Sequence, residues 1–390
     1  MRFAIRLATL SLGLAAVAGA GLAQERDAAK REDGIDLHVA RGVELLLGMQ
    51  EGEGDSEWPY EGVYRVRAGI PIGYRVGGTG IVALALIQAP GYEEEEACVG
   101  AVRRATEFVV GSVEHPLMDP SYEGGYDVRG WGYCYGLAFL LRLKDMKLVP
   151  DDLRAEVDGA SRFFVDSLQA IEIPANGGWS YSRGRRIEDP SPPSPFMTVP
   201  CLQALFAADR AGYEVDPGIV ERGLDALERS RTESGAVVYS LGERGRSNRD
   251  VVPGSVGRML AAESTLYLAG RNTQLHVRGA LDAFLVHWKW LGDRRCKTGT
   301  HEGPYGIAPY YFYYAHYFAA QAIELLPSAE REEYRARVNE LLFSVQLDDG
   351  SWNDRVFDRS ANYGTAMALM ALMMPDLEPP AAWTRAAEER

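Results

Sequence analysis

The sequence predicts an all-α protein, six helical hairpins closed into a double ring. Three observations carry this. Six short segments, at 77–87, 131–141, 198–208, 252–262, 314–324 and 362–372, are apolar on most sides and rich in Ala and Gly. Each follows an amphipathic segment. Between the two lies a loop in which Gly precedes an aromatic or apolar residue, and these anchors (Trp58, Tyr126, Trp179, Val237, Tyr305, Trp352) recur at intervals of 47 to 68 residues. Self-similarity on that scale marks supersecondary units that cannot bury their apolar faces alone and so merge into one body.

Taken in order, the first helices begin with IDLHVARGVELLLGMQ from Ile35 and continue with ACVGAVRRATEFVVGSV, LRAEVDGASRFFVDSLQ, GIVERGLDALERSR, TQLHVRGALDAFLVHWKWL and REEYRARVNELLFSVQ. Apolar residues recur three and four apart with charges opposite, the pattern of half-exposed helices. The second helices, from GGTGIVALALI to NYGTAMALMAL, are apolar nearly all round, as expected of a buried layer. In the loops, Gly permits a sharp turn and the large side chain plugs the gap between hairpins.

The repeat sets the domain organisation: one body over 35–378, a flexible segment at 24–34, a C-terminal tail at 379–390, and a leader at 1–23. Arg2 and Arg6 precede an apolar run from Leu7 to Val17 and small residues suited to cleavage, which reads as a secretory signal peptide. That run of 11 residues is too short for a hydrocarbon core of roughly 30 Å, and the mature chain has no candidate transmembrane segment. The expected location is the periplasm or the extracellular space.

Loss of the two leader arginines takes the net charge from −14 to −16. A chain this acidic has no long-range attraction for phosphates, so nucleic acid is excluded as a partner. The basic stretch Arg183, Arg185 and Arg186 runs straight into Glu188 and Asp189. Cys98, Cys134, Cys201 and Cys296 are widely spaced with no C-x-x-C pair; Cys134 and Cys201 fall in apolar helices and read as small buried hydrophobes.

One loop is more specific. Gln346, Asp349, Gly350, Ser351 and Trp352 form Q-x-x-D-G-S-W, and NGGWSYS at 176–182 is a looser version. This resembles the QW repeat of the prenyltransferase and squalene-cyclase (terpenoid cyclase-like) superfamily, and it implies an (α/α)6 toroid with QW-like loops over the whole mature chain. The superfamily includes terpene cyclases, protein prenyltransferase β subunits and complement-like thioester domains, so the fold does not supply a function.

Each of those chemistries makes a checkable demand. Squalene-type cyclases use D-x-D-D, which is absent; Asp348 and Asp349 sit in the QW turn, and Asp151 and Asp152 start a helix. Prenyltransferases hold zinc through D-x-C and a His, but the residues two before the cysteines are Glu96, Gly132, Val199 and Arg294. His316 opens the fifth inner helix and Cys134 the second, hairpins that are not neighbours in a ring, so His316 reads as a hydrogen-bonded pocket histidine. A C-G-E-Q thioester is ruled out by Ala101, Leu137, Ala204 and Gly299 at the Gln position. No catalytic residue, metal or cofactor is assigned.

What remains is the mouth at the inner-helix N-termini, where unpaired N–H groups favour polar ligand groups. Residues at those starts include Arg75, Thr79, Thr198, Ser255 and Asn362, with Trp131, Tyr133, Arg258, Tyr310, Tyr313, Tyr314, His316 and Tyr363 expected to bind a small-molecule or polymer ligand. So many phenols must find partners if buried. One alternative is a glycan lyase or hydrolase, with Glu57, Asp127, Glu302 and Asp354 as the nameable acids. Others are a divergent terpenoid cyclase or prenyltransferase, or a non-catalytic scaffold presenting its loops to another protein.

Overall fold

The computed structural model describes residues 34–384, apart from 67, 123–127, 182–191 and 243–247. The leader and most of the 24–34 segment, the Tyr126 loop with Asp127, and the Arg183 stretch lie outside the described residues. Among those described there are twelve α-helices and no strand, only isolated bridges that clamp loops such as Glu51 to Glu57 and Arg231 to Val237. No described helix is long and apolar enough to cross a membrane.

The outer helices are α1 (Ile35–Gly48), α3 (Glu96–Gly111), α5 (Arg154–Ala170), α7 (Pro217–Arg229), α9 (Gln274–Arg294) and α11 (Ser328–Phe343). The inner ones are α2 (Ile72–Ile87), α4 (Arg129–Asp145), α6 (Pro195–Arg210), α8 (Val252–Leu268), α10 (Tyr311–Glu324) and α12 (Ala361–Met373). Each inner helix packs on the next, and α12 returns to α2 to close the ring. The closure is polar at the loops: Asn362 Nδ2 donates to the Pro59 carbonyl at 3.0 Å, and Arg359 bridges Glu51 and Glu61.

Start signals are local. Pro217 sits at the first turn of α7 while the Asp216 side chain accepts from Gly218 N–H, and Thr273 with His276 forms a capping box on α9. The inner helices are buried along most of their length, which demands close backbone approach. On α2, a Cβ at Gly80 would stand 2.6 Å from the Tyr135 carbonyl oxygen, so only glycine fits there.

The QW turn is one hydrogen-bonded device. Gln346 Nε2 donates to the Gly350 carbonyl, Gly350 turns at φ 96°, and Asp349 Oδ1 accepts from both the N–H and the hydroxyl of Ser351. Trp352 then enters the space between the rings with no exposed surface. Its indole N–H donates to the Leu342 carbonyl at the end of α11, at 3.0 Å, and its backbone N–H to Thr365 Oγ1 on α12, at 3.1 Å. Trp58 repeats both bonds with Leu46 and Thr79, and Trp179 with Leu168 and Thr198. Val237 N–H meets Ser255 Oγ in the same way. Thr79, Thr198 and Ser255 therefore serve the plugs rather than a ligand. In the fifth unit Tyr305 stays half-buried against Trp290, and Ile307 and Ala308 are the buried residues.

Beyond α12 the chain crosses the C-terminal end of the ring. Residues 374–384 run from α12 to the opposite side, where Trp383 stacks on Phe206 of α6 and donates to Glu221 of α7, and its backbone N–H reaches the Leu268 carbonyl at the end of α8. The segment that the sequence leaves as a tail is, through Trp383, a strap.

Candidate ligand-binding cleft

The bore of the ring is divided in two. At the N-terminal mouth of the inner helices, Tyr60, Tyr74, Trp131, Tyr181, Phe196, Tyr310 and Tyr363 line one cleft, with Arg355 and the Gly62–Tyr64 edge. Tyr60, Tyr74, Trp131 and Tyr363 form one wall, their rings 4.8 to 6.3 Å apart in edge-to-face or tilted pairs. Tyr181, Phe196 and Tyr310 form the other. The space between is about 30 Å³, room for two or so waters at roughly 10–15 Å³ each. A larger ligand has to part the walls, and Val63 and Tyr64 are on the exposed side.

Behind this cleft lies Asp354. Its carboxyl has no exposed surface, and neither oxygen has a hydrogen-bond partner among the described residues. Burial pushes its pKa up to about 7, against the pull of Arg355 and Arg295. In its ionised form it acts on Tyr60, Tyr313 and Tyr363, whose hydroxyls burial already holds in the neutral form. The Tyr60 hydroxyl and Arg355 Nε, both at the cleft, are likewise buried without a partner among the described residues. Unsatisfied polar groups gathered here mark a wet or liganded site, since each costs about 1–3 kcal/mol if left dry.

A second polar element stands behind the opposite wall. His301 Nδ1 lies 3.1 Å from the Gly306 carbonyl and must donate to it, so Nε2 accepts from the Tyr310 hydroxyl at 3.1 Å. Burial lowers the His301 pKa to about 4, which keeps the imidazole neutral and this tautomer in place.

Of the residues expected at the mouth, Trp131, Tyr310 and Tyr363 line the cleft. Tyr314 lies deeper, between Phe196 and Phe318, in the aromatic layer that closes the bore. Arg258 is buried beneath Tyr311 and donates to the Val237 and Arg249 carbonyls. The structure does not bring the others to the cleft wall. Tyr133 turns outward, donates to the Met118 carbonyl and packs on Phe163 and Phe164. His316 also faces the outer ring: Nδ1 donates to the Phe312 carbonyl at 2.8 Å and Nε2 accepts from Trp288, so it is hydrogen-bonded away from the cleft. Tyr313 is fully buried beside Phe312, near Asp354. Arg75 is held by Glu57 in a bidentate pair at 2.7 Å, and Glu302 is exposed beside Arg294.

Tyr60, Tyr74, Tyr181, Phe196 and Arg355 were not foreseen. A signal for two of them, and for the position of Asp354, exists: Tyr60, Tyr181 and Asp354 each stand two residues after a plugging tryptophan, Trp58, Trp179 and Trp352.

All four cysteines are free thiols, three of them buried. Cys134 and Cys201 face one another across α4 and α6, and burial with the neighbouring Cys134 raises the Cys201 thiol. No group of three or more His, Cys, Asp or Glu side chains among the described residues could hold a metal ion.

No family model and no curated protein matches the sequence. Solved structures do. An unsaturated glucuronyl hydrolase from Streptococcus agalactiae is similar at 13% identity and TM-score 0.59, over 88% of this chain and 94% of that one. An α-1,6-mannanase variant of Salegentibacter sp., in complex with α-1,6-mannotetrose, is similar at 12% identity and TM-score 0.55, over 87% and 99%. A type II terpene cyclase from Scytonema, in complex with geranylgeranyl dihydroxybenzoate, is similar at 14% identity and TM-score 0.51, over 90% and 99%. What these similarities show is the fold, an α/α toroid.

Proposed function

We propose that this chain is an exported toroid that binds a sugar-bearing ligand in the aromatic cleft. The observation that carries the reading is the convergence of seven aromatic rings with the buried, unpartnered Tyr60 hydroxyl and Arg355 Nε, with the Asp354 carboxyl behind them. A hydrocarbon in this place would leave those polar atoms unsatisfied, at a cost of several kcal/mol in total. A sugar offers hydroxyls to them and an apolar ring face to the aromatics. Two of the similar structures are of glycan hydrolases, one of them holding a mannose oligosaccharide, which fits the same class. The leader at 1–23 supports export, and sequencing the mature N-terminus of secreted protein tests it.

The experiment is a titration of oligosaccharides followed by tryptophan fluorescence. A binder should perturb Trp131 emission, and Trp131→Ala combined with Tyr363→Ala should weaken binding at least about tenfold. Binding that is unchanged in that double variant rejects the cleft as the site.

The proton held on Asp354 favours a second reading, acid-catalysed cleavage of the bound sugar. That chemistry needs a second carboxylate. Glu57 is committed to Arg75, and Asp127, which precedes α4, lies outside the described residues. An Asp354→Asn variant that keeps binding but loses any measured cleavage supports this reading, and one that cleaves as the parent does removes it.

A further inference from the structure

The bore does not end at the aromatic layer. Below it, towards the C-terminal ends of the inner helices, opens a second and larger cavity of about 320 Å³, within the roughly 300–1,000 Å³ of sites that take small organic ligands. Its wall is apolar, with Ile81, Leu84, Leu141, Phe318, Met367 and Met370 facing in. Three glutamines interrupt that wall: Gln88 donates to the Leu84 carbonyl, and Gln203 and Gln321 satisfy each other. Gln203 donates to Gln321 at 2.8 Å and to Thr265 at 3.0 Å, and Gln321 donates back to Gln203 at 3.1 Å. A ligand here meets mostly hydrocarbon, with the Tyr135 and Tyr317 phenols as the polar groups beside it.

The rim is different. Arg142 and Arg210, at the ends of α4 and α6, converge on one carboxylate, that of Glu378 in the strap. Arg142 Nη1 lies 2.6 Å from Glu378 Oε2, and Arg210 Nη1 lies 3.4 Å from Glu378 Oε1. Asp145 also accepts from Arg142, at 2.6 Å. All four of these side chains line the cavity. The chain thus places its own carboxylate on an arginine pair at the mouth of an apolar bore.

We propose that this cavity binds a long-chain fatty carboxylate, its hydrocarbon lying in the bore and its head on Arg142 and Arg210 in place of Glu378. Arginine suits that head because its fork of donors matches a carboxylate. The hydrocarbon gains about 0.8 kcal/mol for each CH₂ removed from water, whereas a free carboxylate such as acetate gains only the exposed ion pair, worth at most about 1 kcal/mol. The site is separate from the aromatic cleft and does not depend on the reading given there.

The test is calorimetric titration of the full chain with palmitate, hexadecanol and acetate. Palmitate should bind at one site, hexadecanol at least about tenfold more weakly, and acetate without measurable heat. Ala207→Trp, which fills the bore from a wall position partly open to it, should cut palmitate affinity at least about tenfold. Glu378→Gln removes the internal competitor at a surface position and should raise palmitate affinity severalfold. Arg142→Gln with Arg210→Gln should abolish the preference for palmitate over hexadecanol. A folded Ala207→Trp variant that binds palmitate as the parent does, hexadecanol binding as tight as palmitate, or a Glu378→Gln variant with unchanged or weaker affinity would each overturn the proposal.

Discussion

Trp131 and Tyr135 stand one turn apart on α4, their rings edge to face with centroids 5.0 Å apart, and the bore changes character between them. Trp131 looks into the aromatic cleft, and Tyr135 lines the apolar cavity below. Tyr314 completes the division from the other side, between Phe196 and Phe318. One ring of helices therefore holds two spaces of opposite chemistry.

The plugging tryptophans should dominate stability. Trp352→Ala empties a site with no exposed surface and strands the Leu342 carbonyl, so unfolding in denaturant should show a loss of about 3–5 kcal/mol. Thr365→Val keeps the volume but leaves the Trp352 N–H unpaired, and should cost about 1–3 kcal/mol.

Gly364 lies under the same loop. A Cβ there would stand 2.3 Å from the Trp352 carbonyl oxygen, backbone that cannot swing aside. Gly364→Ala should lower the melting temperature by more than about 4 °C, whereas Gly111→Ala, whose Cβ meets nothing within 4 Å, should leave it nearly unchanged.

Asp354 gives stability a pH dependence of unusual sign. Its folded pKa, about 7, lies above the ordinary value of 3.8, so between the two the folded state binds the extra proton. That contribution is complete below the ordinary value and is lost as pH rises through about 7, to a total of order 4 kcal/mol. Denaturation midpoints should therefore fall across that window in the parent, and Asp354→Asn should flatten this part of the profile.

Trp383 anchors the strap on α6 and α7. Trp383→Ala should cost about 3 kcal/mol and open the lower cavity, read as a rise in binding of a hydrophobic dye without loss of helical circular dichroism.

The sequence by itself determined the twelve helices, their alternation between exposed and buried layers, and the Gln346 to Trp352 turn. Those follow from periodicity and from local hydrogen bonding, which act over a few residues and so are written in neighbouring letters. It also placed Trp131, Tyr310 and Tyr363 among candidates for the mouth, and named Asp354 among the acids without a reason to prefer it. Only the tertiary structure decided which of the candidates face the cleft. An inner helix that is apolar all round carries no stripe to fix its rotation, so nothing local tells Tyr310 from Tyr313, or Trp131 from Tyr133, although each step turns the side chain by about 100°. That rotation is set by neighbouring helices across the ring. The same long-range packing brings Tyr60 and Phe196 to the cleft, strips Asp354 of partners, and lays Glu378 on arginines contributed by α4 and α6, 236 and 168 residues earlier in the chain.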